Sequence, residues 1–493
     1  MRPDIMPKRK ISFINPPYDA IEKGYEFVKE ITNNSPSLGL MYLAAEVREH
    51  GYQPEIIESN IMNLSIEGVV ECVLASKPAY VGITLFTVGV WNSAKIAKQI
   101  KEHLPDTQII IGGPHVSSMG RETMERFQQF DYAVLGEGEK TLIDLLRAIE
   151  GGGSLADVPE LIYRDGPFIN QTAGRAINRD LDVLPMPAWD LLPDFPDAYK
   201  PAIYDYPRGP VATIAASRGC PFHCKFCDTS TFGDRVRYYS PAKVVEMMSY
   251  LKQSYGIRHI MFVDDLFLAS RKRASEFCRL LIEAGLNMTW SCTSRVDTVH
   301  EDVLKLMKQA GCWEISFGLE SGSQEMLEKM VKSAKMVDSE NAVKLTAAAG
   351  IRTKGLFMLG YPGETLDSIE QTKDFVRRIP MTIMNLTKFT PYPGSPIYHD
   401  LYGANIRDDH WEKMNGMNFL WSPEGISIDE LDRHYREILI SFYRRPAISW
   451  HYTWLTLQHP QHLLRLFRFG WGYLKFRFGR ALRRTEVADA PRS

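Results

Sequence analysis

Short apolar runs recur along the chain, and between them the apolar residues return at helical rather than alternating spacing. In the first 150 residues the runs are "ISFINPPY" (11–18), "PEIIES" (54–59), "YVGITLF" (80–86), "QIIIGGPH" (108–115) and "YAVLGEGE" (132–139). Their length and β-branched content predict buried strands alternating with helices, the pattern of a doubly wound domain. A second series runs through "VATIAAS" (211–217), "HIMFVDD" (259–265), "MTWSCTS" (288–294), "WEISFGLE" (313–320), "RTKGLFMLG" (352–360) and "TIMNLTKFTPY" (382–392). Repeated βα units predict a parallel sheet with its chemistry at the carboxyl ends of the strands. Ser240 and Pro241 make a cap and first-turn pair for a helix, and Ser427 with Glu430 make a capping box ahead of Leu431, Tyr435, Ile438 and Phe442 on one helical face.

The predicted class is α/β: a Rossmann-like domain over 1–150, a glycine- and proline-punctuated linker with a short hairpin over 151–195, a six-stranded (β/α)6 partial TIM barrel over 196–400, and a helical region over 401–493. With 44% hydrophobic and 24% charged residues the composition is that of a globular protein, and a formal charge of −2 offers no general attraction for nucleic acid. The start "MRPDIMPKRK" lacks an apolar core, and "AYVGITLFTVGVW" (79–91) is too short to span a bilayer, so a cytoplasmic setting is expected.

Seven cysteines without a secretory signal argue against a disulfide framework. Cys72, Cys278, Cys292 and Cys312 lie among apolar neighbours and read as small buried hydrophobes. Cys220, Cys224 and Cys227, in "SRGCPFHCKFCDTS", are different: their C-x3-C-x2-C spacing lets three thiolates converge from one loop. Zinc would want a fourth ligand, and an iron–sulfur cluster normally takes four thiolates, so three leave one metal position open.

This motif, with Phe226 before the third cysteine, resembles the signature of the radical S-adenosylmethionine (SAM) enzymes. The resemblance implies a [4Fe–4S] cluster on Cys220, Cys224 and Cys227, SAM chelating the open iron, and reductive cleavage of SAM to a 5′-deoxyadenosyl radical. It also implies SAM contacts: Phe226 beside the adenine, Asp264 or Asp265 for the amino group, Arg295 and Glu320 for the carboxylate and ribose, and Gly360, Gly363 and Glu364 near the adenosine. A simple salt bridge between Arg295 and Glu320 is the alternative for that pair.

The first domain has no G-x-G-x-x-G after its first strand, which disfavours a dinucleotide. Ahead of such a barrel it resembles the cobalamin-binding domain of cobalamin-dependent radical SAM enzymes. That implies corrin contacts from Asn15, Pro16, Thr84, Gly112, Gly113, His115, Gly136, Glu137 and Gly138, with Gly82 also letting backbone approach. The D-x-H-x-x-G motif that supplies an axial histidine in many cobalamin proteins is absent, so cobalamin is expected without a protein nitrogen on cobalt, against the alternative of a degenerate domain.

The implied reaction is methylation of an unactivated carbon of a hydrophobic metabolite. The alternatives are oxidation or cyclisation, as in the anaerobic magnesium-protoporphyrin monomethyl ester cyclase, and a non-catalytic redox or corrinoid carrier. The partners implied are a small molecule of tetrapyrrole or isoprenoid type and an electron donor such as flavodoxin or ferredoxin. From Ser441 to Thr485 nine Lys or Arg interleave with aromatics and no acid occurs. Three readings stand for this tail: peripheral contact with the inner membrane face, a helix packed on the barrel with a solvated basic side, and, with no reading motif beside the basic stretch to support it, nucleic acid.

Overall fold

The computed structural model describes residues 9–18, 34–403, 405, 408–459, 462–468 and 471. Strands β1 (Lys10–Asn15), β2 (Gln53–Glu58), β3 (Tyr80–Thr84), β4 (Gln108–Gly112) and β5 (Tyr132–Val134) run parallel in the order β2-β1-β3-β4-β5. The strand order reverses beside β1, and this switch point opens a ligand crevice at the carboxyl edge. Apolar clusters cover both faces of the sheet, which is why strands such as "YVGIT" are apolar throughout rather than alternating. Gly82 is mid-strand, and a side chain there would meet the Phe13 ring at 2.8 Å. What it accommodates there is a core aromatic, which accounts for the glycine without the corrin approach that the sequence suggests.

The hairpin after residue 151 forms β6 (Leu161–Asp165) and β7 (Phe168–Gln171), which extend the first sheet antiparallel from β5. The following linker is not loose. Leu181, Leu184, Trp189 and Leu192 are buried in a cluster that also holds Tyr42 of the first domain and Met247 of the second.

The second sheet comprises β8 (Val211–Ile214), β11 (His259–Phe262), β12 (Thr289–Ser294), β13 (Cys312–Glu320), β14 (Arg352–Leu359) and β15 (Ile383–Lys388), all parallel and neighbouring in chain order. A short antiparallel pair, β9 (Ser217–Arg218) and β10 (Arg237–Tyr238), closes the cysteine loop after β8. The Ser240 hydroxyl accepts from Lys243 N at the start of the helix Pro241–Tyr255, as its sequence predicts.

Beyond the barrel, residues 408–413 pack against the first domain, with Trp411 buried edge-on to His115 at 4.7 Å. The helix Ile428–Tyr443 begins with the predicted capping box and buries Leu431, Ile438 and Phe442. Most of the basic aromatic tail, from residue 472 on, lies outside the described residues.

Candidate active site

The cysteine loop leaves β8 through Gly219, whose φ of +87° and close approach to the Arg235 carbonyl exclude a side chain. Within the loop Cys220 N donates to Gly233 O at 3.4 Å and Cys227 N to Cys224 O at 3.0 Å, bonds that fold the loop back on itself. Cys224 is buried, Cys220 half-buried and Cys227 the most exposed. Crowding of its sulfur by the loop, followed by the neighbouring Cys224 and Cys220, pushes the Cys227 thiol up to about 12. The Cys220 and Cys227 thiols resist ionisation by themselves, and three soft donors on one loop suit a cation that stabilises thiolates, so the donors fit an iron–sulfur cluster with three protein ligands.

Both acids after β11 brace this loop. Asp264 is buried and accepts from Ala216 N at 3.0 Å and from the Ser217 hydroxyl, while burial raises its carboxyl to about 6. Asp265 is exposed and accepts from Gly219 N at 3.1 Å. Arg295, after β12, stacks over Phe222 at 3.6 Å, approaches Cys224 Sγ at 3.8 Å through Nη1, and pairs with Asp297 at 2.8 Å. It does not pair with Glu320. Glu320 ends β13 with a φ of +61°, at an irregularity in the pairing with β14, and takes an ion pair from Lys332 at 2.7 Å. Lys332 Nζ in turn lies 5.7 Å from the Phe226 ring. The alternative of an Arg295–Glu320 salt bridge is thereby replaced by two separate pairs.

Phe226 packs against Met326, Met330, Met358, Tyr361 and Phe389, an apolar wall beside the cysteines. The Tyr361 hydroxyl is buried there without a partner among the described residues and lies within electrostatic range of Cys224. Gly360, at φ +91°, donates its N–H to the Glu364 carboxylate, and a side chain on it would meet the Phe419 ring at 2.9 Å. Gly363 O accepts from Lys329 Nζ at 2.7 Å. Burial raises Glu364 from 4.5 to about 7. An acid with a raised folded pKa holds an extra proton in the native state between the two values, so its stabilising contribution is full below about pH 4.5 and is lost as pH rises to about 7. Glu364→Gln is expected to flatten the pH dependence of stability across that window, read from urea midpoints.

In the first domain the loops after the strands carry the predicted corrin residues, and they divide into two groups. Asn15 donates to Glu58 at 2.8 Å while its Oδ1 is buried without a partner among the described residues, as is the Ser59 hydroxyl. Two orphaned polar atoms at the ends of β1 and β2 fit a polar ligand in the crevice. Pro16 lies against Gly89, and Pro17 O accepts from Asn92 at 2.9 Å, which fixes the loop over that crevice. Gly113, at φ +101°, passes so close to Thr84 Oγ1 and Leu85 that only glycine fits, whereas a side chain on Gly112 would make only ordinary contact with Val134 O at 3.6 Å. The remaining residues face inward. His115 is buried between the Thr87 and Thr123 hydroxyls, each at 3.1 Å, and burial lowers it to about 3. It is held away from the crevice. Gly138 begins the helix Gly138–Gly151, and a side chain there would meet Leu43 at 3.2 Å.

Glu137 turns to the barrel. Its carboxylate takes both Arg237 Nη atoms, at 2.9 and 2.5 Å, while Arg218 pairs with Glu139 at 2.8 Å and with Glu137 at 3.5 Å. These two acids and two arginines, none more than a fifth exposed in its side chain, join the loop after β5 to the strands clamping the cysteine loop. Nearby, a side chain on Gly136 would approach Thr231 O of the cysteine loop at 3.7 Å. A side chain on Gly394, after β15, would meet both Asp228 and Ser118 of the first domain at 2.6 Å. The carboxyl edges of the two sheets therefore face each other, with the three-thiol loop between them. A cavity of about 620 Å³ lined by Tyr204, Asp205, Lys354 and Tyr452 lies at the opposite, amino-terminal end of the barrel strands, remote from this chemistry.

Sequence reading did not single out Lys332, Arg218, Arg237, Glu139 or Tyr361. Lys332 reaches Glu320 across a separation of twelve positions that no periodicity connects. Arg218 stands directly before the cysteine motif, and its burial was the signal only three-dimensional packing supplies.

A doubly wound ligand domain facing a parallel βα sheet with a three-thiol loop defines a class of cofactor-dependent radical enzyme. Residues 27–146 match the B12 binding domain model and residues 214–376 match the radical SAM superfamily model. Over 444 residues, 89% of this chain and 93% of the relative, the sequence is 33% identical to an uncharacterized methyltransferase of Pyrococcus horikoshii. Over 457 residues, 90% of this chain and 72% of the relative, it is 27% identical to the anaerobic magnesium-protoporphyrin IX monomethyl ester cyclase of Cereibacter sphaeroides. The fold is similar to that of TsrM, a radical SAM methyltransferase from Kitasatospora setae solved with cobalamin and a [4Fe–4S] cluster bound, at a TM-score of 0.65 and 20% identity over 80% of this chain and 78% of that one. The chain belongs to the radical SAM enzymes that carry a B12 binding domain. Its cofactors are a [4Fe–4S] cluster, SAM and cobalamin.

Proposed function

We propose that the protein methylates an unactivated carbon of a hydrophobic small molecule. The observation that carries this reading is that the loops at the carboxyl edge of the first sheet pack directly on the cysteine loop of the second. When bound, the cofactors supply reductive SAM cleavage and a transferable methyl group. Cys220, Cys224 and Cys227 hold the cluster. Asp265, exposed and with one oxygen uncommitted, would receive the SAM amino group in place of Asp264, both of whose oxygens serve the loop. Arg295, Lys332 and Glu320 set two cations and one anion beside the cysteines, a pattern suited to a carboxylate and a ribose. Phe226 and the methionines around it exclude water from the adenine side. A flavodoxin- or ferredoxin-type donor supplies the electron.

The substrate's apolar character is supported by the exposed side chains at the carboxyl ends of both sheets. Tyr18, Phe86, Phe232, Val263 and Tyr392 all lie in loops that follow strands, and all are at least 36% exposed. Large apolar groups gathered at a mouth and left uncovered mark a ligand surface. Oxidative cyclisation is the second reading, favoured by the likeness to the cyclase across nine-tenths of the chain.

The test is anaerobic: protein expressed with cobalamin and reconstituted with iron and sulfide is mixed with SAM and reductant, and products are identified by mass spectrometry. A corrin spectrum with both 5′-deoxyadenosine and S-adenosylhomocysteine is expected. A corrin with 5′-deoxyadenosine but no S-adenosylhomocysteine, in the presence of a turned-over substrate, would favour cyclisation.

A further inference from the structure

The helix Pro446–Gln458 has two apolar faces. One is anchored: Ile448 and Leu455 are buried, Thr456 shares a hydrogen bond with Tyr204 at 2.7 Å, and Tyr452 meets the Tyr204 ring at 4.8 Å. The following turn of helix, 462–468, is held by His462 at the Tyr206 carbonyl, 3.1 Å, and by Arg465 at Pro201 O, 2.8 Å. The other face is bare. Trp450, Trp454 and Leu457, at the i, i+4, i+7 spacing of one helical stripe, are 69%, 52% and 70% exposed. Leu464 and Phe467 add to it at 68% and 72% exposure.

Two tryptophans on one stripe of a helix suit a boundary between water and hydrocarbon, where the ring is buried and the indole N–H stays wet. The local charge selects which boundary. From Ser441 to Thr485 the sequence holds nine Lys or Arg and no Asp or Glu, in a chain whose total is balanced at −2. Exposed Arg444 and Arg468 flank the bare stripe. A protein partner of matching chemistry would need an acidic groove wide enough for several indoles, whereas an anionic bilayer presents both properties over any area. No helix among the described residues is long and apolar enough to cross a membrane, so contact would be interfacial.

We propose that this stripe docks the enzyme on an anionic lipid surface. The anchored face rests on residues 201–206, which also touch the amino-terminal ends of β14 and β15 through Arg352 to Tyr204 O, 3.1 Å, and Lys354 to Asp205, 2.8 Å. The lipid face is therefore at the closed end of the barrel, opposite the cysteine loop. Docking localises the enzyme and leaves the cysteine loop on the side facing the aqueous phase, so the inference is independent of which methyl acceptor the site takes.

The experiment is co-sedimentation of the full-length reconstituted protein with vesicles of phosphatidylcholine, alone or mixed with phosphatidylglycerol. The protein is expected to pellet with the mixed vesicles only, and less so as salt is raised. Trp450→Ser with Trp454→Ser is expected to lower partitioning by about tenfold or more, with 5′-deoxyadenosine formation in solution unchanged. Both tryptophans are exposed, so the fold survives the change. Absence of pelleting, or equal pelleting of the double variant, would overturn the proposal. So would a dimer in sedimentation velocity without vesicles that the double variant dissociates, since a second copy would then be the occupant.

Discussion

Cys224→Ala is expected to abolish both iron retention and 5′-deoxyadenosine formation, with a loss of activity of at least about a thousandfold, well beyond the roughly 10- to 100-fold that follows loss of an outer contact to a metal ligand. Cys224 is the buried member of the three, enclosed between the apolar wall of Phe226 and the stacked Arg295 and Phe222, so no water or neighbouring oxygen can replace its sulfur. Arg295→Gln removes the outer contact at 3.8 Å to that sulfur, together with the pair to Asp297 and the stack on Phe222, but no cluster ligand, and belongs to the lesser class. Iron analysis and product assay on the two variants separate a ligand from a neighbour of a ligand. Full SAM cleavage by the alanine variant would sink the cluster assignment.

Arg218→Met is expected to destabilise the protein by about 3–5 kcal/mol, the range for breaking a buried ion pair from one side. The arginine is 6% exposed in its side chain and Glu139 is 10% exposed, so the acid left behind has little water to turn to. Tyr42 and Phe232, whose rings lie 4.9 and 5.5 Å from the guanidinium, already supply an apolar sleeve for the methionine. Combining Arg218→Met with Glu139→Gln is therefore expected to recover much of the loss, because both charges go together. Denaturant midpoints of wild type, singles and double complete the cycle. Additivity of the two substitutions would show that the pair does not couple the domains.

How much of this was legible in the sequence follows from the range of the interactions involved. Strand and helix positions, the Ser240 cap and the Ser427–Glu430 capping box rest on neighbours a few residues apart, and each stands in the structure where local pattern places it. The three cysteines were legible for the same reason. Side chains that serve the site across long separations were not. Asp264 and Asp265 carry the same charge at adjacent positions, yet one is consumed by Ala216 and Ser217 and the other remains exposed. Glu137 and His115 lie in glycine-rich loops of the expected kind, yet one is drawn to Arg237, a hundred residues on, and the other is covered by Trp411. Nothing in their local context encodes those partners. The linker likewise reads as a proline-punctuated connection, with nothing in its local pattern to show that Trp189 is buried in the core shared by both domains.

The packing of residues 408–413 on the first domain has a consequence for biosynthesis. Trp411 and Met414 belong to the same apolar cluster as Ile14 and Val81, and Trp91 donates to Asp408 O at 3.3 Å. The first domain leaves the ribosome before the barrel and thus lacks part of its own interior until residues 411–414 have followed it out. Its folding cannot finish in order of synthesis: the growing chain must keep an apolar seam waiting for its own distant end, and a nascent polypeptide halted after the barrel would present that seam to chaperones.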